Sequence, residues 1–514
     1  MNKDTEVDMK EVELNELDLE KQPMTGGEPG NSPLGTEKNG CVKVKVPEES
    51  DFKFTGLSKE ELMKVAGTPG WVRIRWVLLV LFWLGWVGML AGAIVIIVQA
   101  PRCKPLPEMN WWNSGPLYQI QDVDAFVEND GLKGLVEKIE SLNQLKVKGL
   151  VVGPLHTVQK DVPTMLDFTK FNPDVGTKED FENLLDKAHK KGLSVVVDMT
   201  PNFNGQNLWF GNAEVISTME KLKRALPLWI DIGVDGFQLA GIDEVLETAP
   251  GEWSSLREMI QANRTEGTKK RALIGVTEKT SATEVSTLLN TSGVDLLLSG
   301  VLEPNATGTE RAKAIQYLYS SQNQTSLAWS VGDSTKKHLA TLVGSKLVKL
   351  YQLLVFSLPG TPVFSYGDEI CLEQQNGTTF PKMVWDLEKG ADEKDETLKM
   401  VGEQQRSCRS FFKTLSDWRG KERSLQHGDF LLLHNSTSSL AFLREWDQSE
   451  RYLAVLNWGS SPVKFQLNHE SLPEQVTVLL STDPAKHAPE GAVDLKKLEL
   501  ESGQAVLLRF PYSA

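Results

Sequence analysis

The chain has 514 residues, with 55 Lys and Arg against 69 Asp and Glu, for a formal net charge of −14 at pH 7. No basic cluster offsets that balance, which excludes nucleic acid as a partner, because neutralising backbone phosphate needs a concentrated positive surface. The acidic excess reads as a solvated surface.

Residues 1 to about 60 hold many Glu, Asp and Lys, a Gly/Pro/Ser stretch over 24–35 and few aromatics. They lack the apolar surface to offset ordering entropy, so a mostly disordered tail is expected over residues 1–70. From residue 76 to 98 the sequence carries no charge and is rich in Leu, Val, Ile and Trp. As a helix, that run crosses a hydrocarbon core of roughly 30 Å. About seventy residues precede it, and it exceeds the roughly 7 to 15 residues of a signal h-region, so it reads as a transmembrane signal anchor. Gly85, Gly88 and Gly92 fall on one side of that helix, with a GxxxG from Gly88 to Gly92, a packing face for a neighbouring membrane helix and otherwise incidental glycine.

Arg73 and Arg75 flank one end of the span and Arg102 and Lys104 the other, a near tie in charge. The glycosylation sequons break it. Asn263, Asn290, Asn305, Asn323, Asn376 and Asn435 open Asn-X-Ser/Thr triplets, all after the span. A cytosolic N-terminus and an extracellular C-terminal bulk are expected, with residues 99–110 as the linker and membrane lipid around the anchor.

Residues 111–423 alternate short apolar runs with amphipathic segments, as βα units do. The runs lie at 149–152, 193–197, 273–276, 294–298 (interrupted by Asp295) and 362–366, and residues 133–145 and 178–191 carry apolar residues at helical spacing. Eight such units suit a segment of about 300 residues, but periodicity leaves a closed barrel and an open sheet both standing. Over residues 424–514 the pattern shifts to short runs at 429–434, 440–444, 451–457, 463–467, 475–480 and 504–510, separated by Asn, Gly, Ser, Pro and Asp. That spacing predicts an antiparallel β-sandwich.

Four segments carry a family resemblance: "WWNSGPLYQIQDVDAF" at 111–126, "FNPDVGTKEDFENLLDKAHKKGLSVVVDMTPN" at 171–202, "LPGTPVFSYGDE" at 358–369 and "PKMVWD" at 381–386. They resemble the α-amylase family of glycoside hydrolases, in the family's order. The resemblance implies an α/β fold, a TIM (β/α)8-type barrel followed by the β-sandwich.

Members of that family cleave glycosidic bonds with paired carboxyl groups, and each role has a position here. On the third strand, Asp198 and Asn202 match the family pattern, but its His position holds Phe203. On the fourth, the Arg and nucleophile positions hold Gln238 and Ala240. Glu278 lies two residues beyond the expected acid/base position, a shift that moves a carboxylate several ångströms along a strand. On the seventh, Val331, Gly332 and Asp333 stand where the family has "NHD", so only the carboxylate remains. A methyl group neither attacks an anomeric carbon nor stabilises an oxocarbenium charge. No catalytic residue, metal site or cofactor is therefore expected, and Asp198 and Asp333 read as hydrogen-bonded residues at a closed barrel mouth, with a residual sugar-binding cleft as the alternative.

The family usually inserts a domain after the third strand, whereas here residues 202–210 lead within about a dozen residues into the next helix. An anchored barrel without that insert is similar to the heavy subunits of heteromeric amino acid transporters, in particular to the branch without the insert; the branch serving cystine and dibasic amino acids keeps it. That resemblance implies a plasma-membrane type II glycoprotein that assembles with, stabilises and traffics a multi-spanning light subunit carrying out amino acid exchange. A single span lacks the polar intramembrane residues and broken helices of a transport pathway.

The cysteines bear on the partner independently. With Cys41 in the tail, Cys103, Cys371 and Cys408 leave an odd number outside, so at least one has no intrachain mate. Cys371 and Cys408 are expected either to pair or to remain buried thiols. Cys103 lies close after the span, and the resemblance implies a disulfide from it to the light subunit. The resemblance also admits an adhesion or signalling role through integrin β subunits. A membrane-anchored glycosidase is the third reading, and it needs a nucleophile that Ala240 does not supply.

Overall fold

A computed structural model describes residues 57–99, 103–128, 130–261, 269–332, 338–374, 379–387 and 396–512. The chain divides into two units, Met1–Ala100 and Pro101–Ala514.

In the first unit, α1 (Lys59–Ala66) starts at Ser58, where two reciprocal bonds form a capping box: Glu61 N–H donates to the Ser58 hydroxyl at 3.3 Å and Ser58 N–H to the Glu61 carboxylate at 3.1 Å. A helix thus occupies part of the stretch whose composition predicts a disordered tail through residue 70. Next, α2 (Pro69–Gln99) opens on proline, whose missing N–H is an orphan at that position anyway. It runs for 31 residues, past both ends of the expected 76–98 span, and takes Arg73 and Arg75 into the helix. Its apolar side chains are exposed all round, and by length and composition it is able to cross a membrane. A side chain added at Gly85, Gly88 or Gly92 would meet nothing within 4 Å.

In the second unit, β1 (Leu117–Ile120) and β2 (Gly149–Val152) open a parallel sheet, and β3 (His156–Gln159) and β4 (Val162–Phe171) form an antiparallel hairpin outside it. The sheet continues with β5 (Ser194–Asp198), β6 (Gly236–Ala240), β7 (Ala272–Val276), β8 (Leu296–Leu298), β9 (Leu327–Trp329) and β10 (Thr361–Ser365), and β10 pairs back onto β1 to close the barrel. Between β5 and the helix Val215–Ile232 there is only a short loop, as the missing insert requires. The strand expected over 294–298 begins after Asp295 instead. That residue accepts the Leu273 N–H of the neighbouring strand at 2.9 Å. Asp235 does the same for Val195 N–H at 2.7 Å. Both follow a Gly-Val pair whose glycine ends a helix with left-handed φ, 98° at Gly233 and 63° at Gly293.

Side chains alternate along each barrel strand. On β6, Phe237 and Leu239 join the layer between sheet and helices, while Ala240 belongs to the lumen cluster with Leu117, Val151, Val196 and Ile274.

The C-terminal region holds β11 (Asp429–Asn435), β12 (Ser439–Glu445), β13 (Arg451–Asn457), β14 (Val463–Lys464), β15 (Gln475–Ser481), β16 (Ala492–Asp494), β17 (Glu499–Leu500) and β18 (Gln504–Phe510). Six of them form one antiparallel sheet, ordered β11-β12-β13-β18-β15-β16, and β14 pairs with β17. The large sheet is buried on both faces. Ala441, Leu443 and Val455 pack with Phe465, Leu498 and Leu500, whereas Leu440, Phe442 and Ala454 join the barrel's own core.

Two fully buried arginines bind backbone carbonyls where the barrel meets the C-terminal region. Arg419, on the helix Glu396–Lys421, donates to the carbonyls of Phe356 at 3.3 Å and Leu358 at 2.9 Å, and also to those of Gly360 and Leu425. Arg444, on β12, reaches Ser357 O at 2.6 Å and Gly428 O at 2.9 Å. Burial lowers the pKa of both. Cys371 and Cys408 are joined in a disulfide, Cα atoms 6.3 Å apart, tying the end of the barrel to the same helix; of the two outcomes open in the sequence, this is the paired one.

Arg419→Met removes all four carbonyl partners' donor at once. At about 1 to 3 kcal/mol for each buried group left unsatisfied, a loss of roughly 3 kcal/mol or more is expected in denaturant unfolding of the second unit, with Arg419→Lys recovering only part of it.

Candidate functional site

The third and fourth barrel strands bring Asp198 and Gln238 together, and a residue from the first strand completes the group. Gln119 Nε2 donates to Gln238 Oε1 at 3.0 Å, and Gln238 Nε2 donates to Asp198 Oδ2 at 2.8 Å. Thr200 N–H donates to Asp198 Oδ1 at 2.8 Å, while the Thr200 hydroxyl accepts Ala240 N–H at 3.0 Å. All five residues are buried. Gln238 thus sits at the position expected for the family's arginine and serves as an amide relay across the lumen. The sequence pattern does not single out Gln119; its only signal is a polar residue two places after Leu117 on an inward-facing alternation.

Several of the remaining residues are spent on packing or hydrogen bonds. Phe203 stacks on Phe380, centroids 6.0 Å apart and planes within 18°. Trp209 Nε1 donates to Ala240 O at 2.9 Å, roofing the strand end. Asn202 is turned to structural use, exchanging bonds of 3.0 and 2.9 Å with Asp161 at the hairpin turn and donating to Asn207 O at 2.6 Å. Val331 and Gly332 follow β9, Gly332 with left-handed φ of 60°. Asp333 lies outside the described residues.

A cavity of about 230 Å³ remains beside Ala240, walled by Thr277, Glu278, Ser299, Glu303 and Ser330 among others. That is below the roughly 300 to 1,000 Å³ usual for small-molecule sites. Glu278 lies past the end of β7, exposed at the cavity wall rather than on the strand. Asp198 and Gln238 are not part of the wall.

Burial raises the pKa of Asp198, against the bonds from Thr200 and Gln238 that lower it. Across the mouth, Asp368 is pushed up to about 8, burial being the main cause, although its oxygens accept Leu339 N–H at 2.8 Å and Ser365 N–H at 2.9 Å.

The other residues marked in the sequence lie elsewhere. Cys103 is exposed and unpaired. Asn290, Asn305, Asn323 and Asn435 are exposed, and in Asn323 the engaged atom is Oδ1, which accepts Thr325 N–H at 3.0 Å, not the glycan-accepting nitrogen. Asn263, Asn376 and Cys41 lie outside the described residues. Among the described residues no group of His, Cys, Asp or Glu is placed to hold a metal ion.

Known proteins place this combination. A family profile described as the N-terminus of solute carrier family 3 member 2 matches residues 42–118, and one described as the α-amylase catalytic domain matches residues 121–223. The amino acid transporter heavy chain SLC3A2 of Oryctolagus cuniculus is 44% identical over 541 aligned residues, covering 100% of both chains. The chain belongs to the amino acid transporter heavy chain family. A second heavy chain, SLC3A1 of Homo sapiens, is 24% identical and covers 96% of this chain and 91% of its own length. In structure, an Anoxybacillus α-amylase superposes with a TM-score of 0.61 at 17% identity, covering 78% of this chain and 99% of its own. That likeness concerns the fold, and it agrees with the closed barrel of this heavy chain.

A raised folded pKa means that stability is fully present below the unfolded value and is lost as pH rises through the folded one. For Asp198 and Asp368 the window opens near 3.8 and, for Asp368, closes near 8. Asp198→Asn keeps an acceptor for Thr200, and the amides of Gln238 and Gln119 flip to suit it. Its unfolding free energy relative to the parent is expected to improve as pH rises from 3 to 8. A relative effect equal at both pH values would contradict the shift.

Proposed function

We infer that this protein is the non-catalytic heavy subunit of a heteromeric amino acid transporter, anchored by α2 with its N-terminus in the cytosol and its barrel outside the plasma membrane. Cys103 forms a disulfide with a multi-spanning light subunit, which binds and exchanges the amino acid, while the heavy subunit stabilises that partner and brings it to the surface. The observation that carries this reading is the cysteine pattern. Cys371 and Cys408 satisfy each other, and among the described residues Cys103 is the free cysteine, exposed at the start of the second unit. Named heavy-chain relatives matching over the whole length supply the class of partner.

The barrel supports the non-catalytic part. The position expected for a nucleophile carries a methyl group in an apolar cluster, and Asp198 is held by hydrogen bonds from Thr200 and Gln238 away from the cavity wall. The exposed sequon asparagines are consistent with glycosylation of an extracellular domain.

Three tests follow from these residues. Cys103→Ser is expected to abolish the high-mass species on non-reducing gels of surface-labelled cells, with the heavy chain still recovered folded; a species that survives the substitution would place the link elsewhere. Purified ectodomain is expected to show no turnover of maltose or an aryl glucoside. Hydrolysis that disappears on changing Glu278 or Asp198 would restore the glycosidase reading. In α2, Gly88→Leu with Gly92→Leu is expected to lower recovery of the light subunit from reduced detergent extracts severalfold, because close helix approach depends on small residues.

A further inference from the structure

The residue after Cys103 is held from three directions. Lys104 N–H donates to Asp447 Oδ2 at 3.2 Å, its Nζ lies 3.6 Å from Asp429 Oδ2, and the same ammonium stands 5.7 Å from the centre of the Trp446 ring. The three partners come from the start of β11 and the turn between β12 and β13. Asp429 is itself fixed, because its other oxygen accepts the Tyr319 hydroxyl at 2.8 Å. Pro105 follows directly and biases Lys104 to an extended backbone.

The next firm anchor lies at Trp111, whose Nε1 donates to Lys270 O at 2.9 Å, and at Asn113, whose amide reaches Thr325 O at 2.7 Å. Residues 103–110 have no regular secondary structure. Tethered only from Trp111, the thiol would range over roughly 26 Å of extended chain. With Lys104 fastened, Cys103 lies one peptide, about 3.8 Å between Cα atoms, from a backbone held against the β-domain.

We propose that Lys104, gripped by Asp429, Trp446 and Asp447, is a positioning residue for the interchain disulfide: the β-domain holds the Cys103 thiol at a fixed place on the surface for a partner cysteine on an extracellular loop. The proposal rests on the heavy-subunit reading above. Joining two thiols releases two protons and two electrons. The acceptor is a disulfide-bearing oxidoreductase of the secretory compartment. One thiolate opens its disulfide to form a mixed disulfide, and the second thiolate displaces the carrier, which leaves as a dithiol. Fixing one thiol raises the effective concentration at which that second attack occurs. The Lys104 and Asp429 side chains are each 57% exposed, so the ion pair lies outside the buried core of the β-domain.

The test follows interchain disulfide recovery in cells expressing the full chain with a multi-spanning transporter that carries an extracellular loop cysteine, after a pulse of reductant and its washout. Lys104→Ala and Asp447→Gly, the latter chosen because Asp447 has a left-handed φ of 46°, are expected to slow recovery about three- to tenfold. Lys104→Arg should restore most of the rate, and non-covalent recovery of the partner and the ectodomain's thermal midpoint should stay at the parent's values. A parental rate in the Lys104→Ala, Asp447→Gly double variant, with Cys103→Ser still abolishing the link, would overturn the positioning role and leave the heavy-subunit reading intact. If the parent forms no Cys103-dependent link, both fall together. A slowed rate that Lys104→Arg does not restore, or that accompanies a lowered thermal midpoint, would reduce the contacts to a structural role and overturn the proposal.

Discussion

Closing a parallel sheet on itself turns every second residue of each strand into a lumen that water does not reach, and that constraint governs the rest of the second unit. A polar side chain there must find its partners among the other inward-facing residues, because an unpaired buried amide or carboxylate costs about as much as several good contacts provide. Gln238 and Asp198 meet that demand through a directional chain from Gln119, amide to amide and amide to carboxylate, with the Thr200 backbone closing the end, while Gln119 Oε1 is left without a partner. Where the lumen does not need polarity, it is apolar, and Ala240 sits with Leu117, Val196 and Ile274.

The same accounting explains how the C-terminal sheet is attached. Its large sheet has two buried faces, so its strands read as near-continuous apolar runs, and one face shares the barrel's core. Apolar contact fixes the distance between the two parts but not their register. Arg419 and Arg444 supply direction, since a planar guanidinium satisfies several carbonyls only in one orientation. The carbonyls they bind, at Phe356, Ser357, Leu358 and Gly360, cluster where a helix ends and β10 begins, where backbone acceptors are left without helical donors. Arg311 repeats the device on another side, bonding Glu303 O at 2.9 Å and lying 4.8 Å from the Trp458 ring.

Much of this was legible in the residues, for physical reasons that differ by element. Strands β2, β5, β7 and β10 coincide with the apolar runs at 149–152, 193–197, 273–276 and 362–366, so their existence showed, and β13 and β18 match their expected limits. The run expected at 294–298 shrinks to the three residues of β8, while β9 is only three residues long, too short for a period to declare itself, and β1 mixes Tyr and Gln into four residues. The β3–β4 hairpin carries exposed and polar positions because one face meets solvent. Composition marked the N-terminal stretch as a tail, but Ser58 and Glu61 held a local signal strong enough to start α1 within it. The lumen relay was half visible: two members stand at positions a family pattern marks, while Gln119 depends on which strand lies across the barrel, and only closure determines that. Likewise, cysteine count showed that one thiol lacks a mate, but only the approach of the helix Glu396–Lys421 to the end of the barrel selects Cys371 and Cys408 as the pair.

A barrel that performs hydrolysis keeps carboxylates at its mouth incompletely satisfied, open to substrate and at a cost in stability. A barrel that serves as a rigid body is free of that cost, and its mouth can be filled. Phe203 stacks on Phe380, Trp209 closes over Ala240 and Asn202 bonds the hairpin turn, so these side chains serve packing and hydrogen bonding. Stability gained in this way is independent of surface chemistry. Sequence change on the outside, including a linker fastened by Lys104 to an exposed turn, then proceeds without disturbing the core that holds both ends of the surface in place.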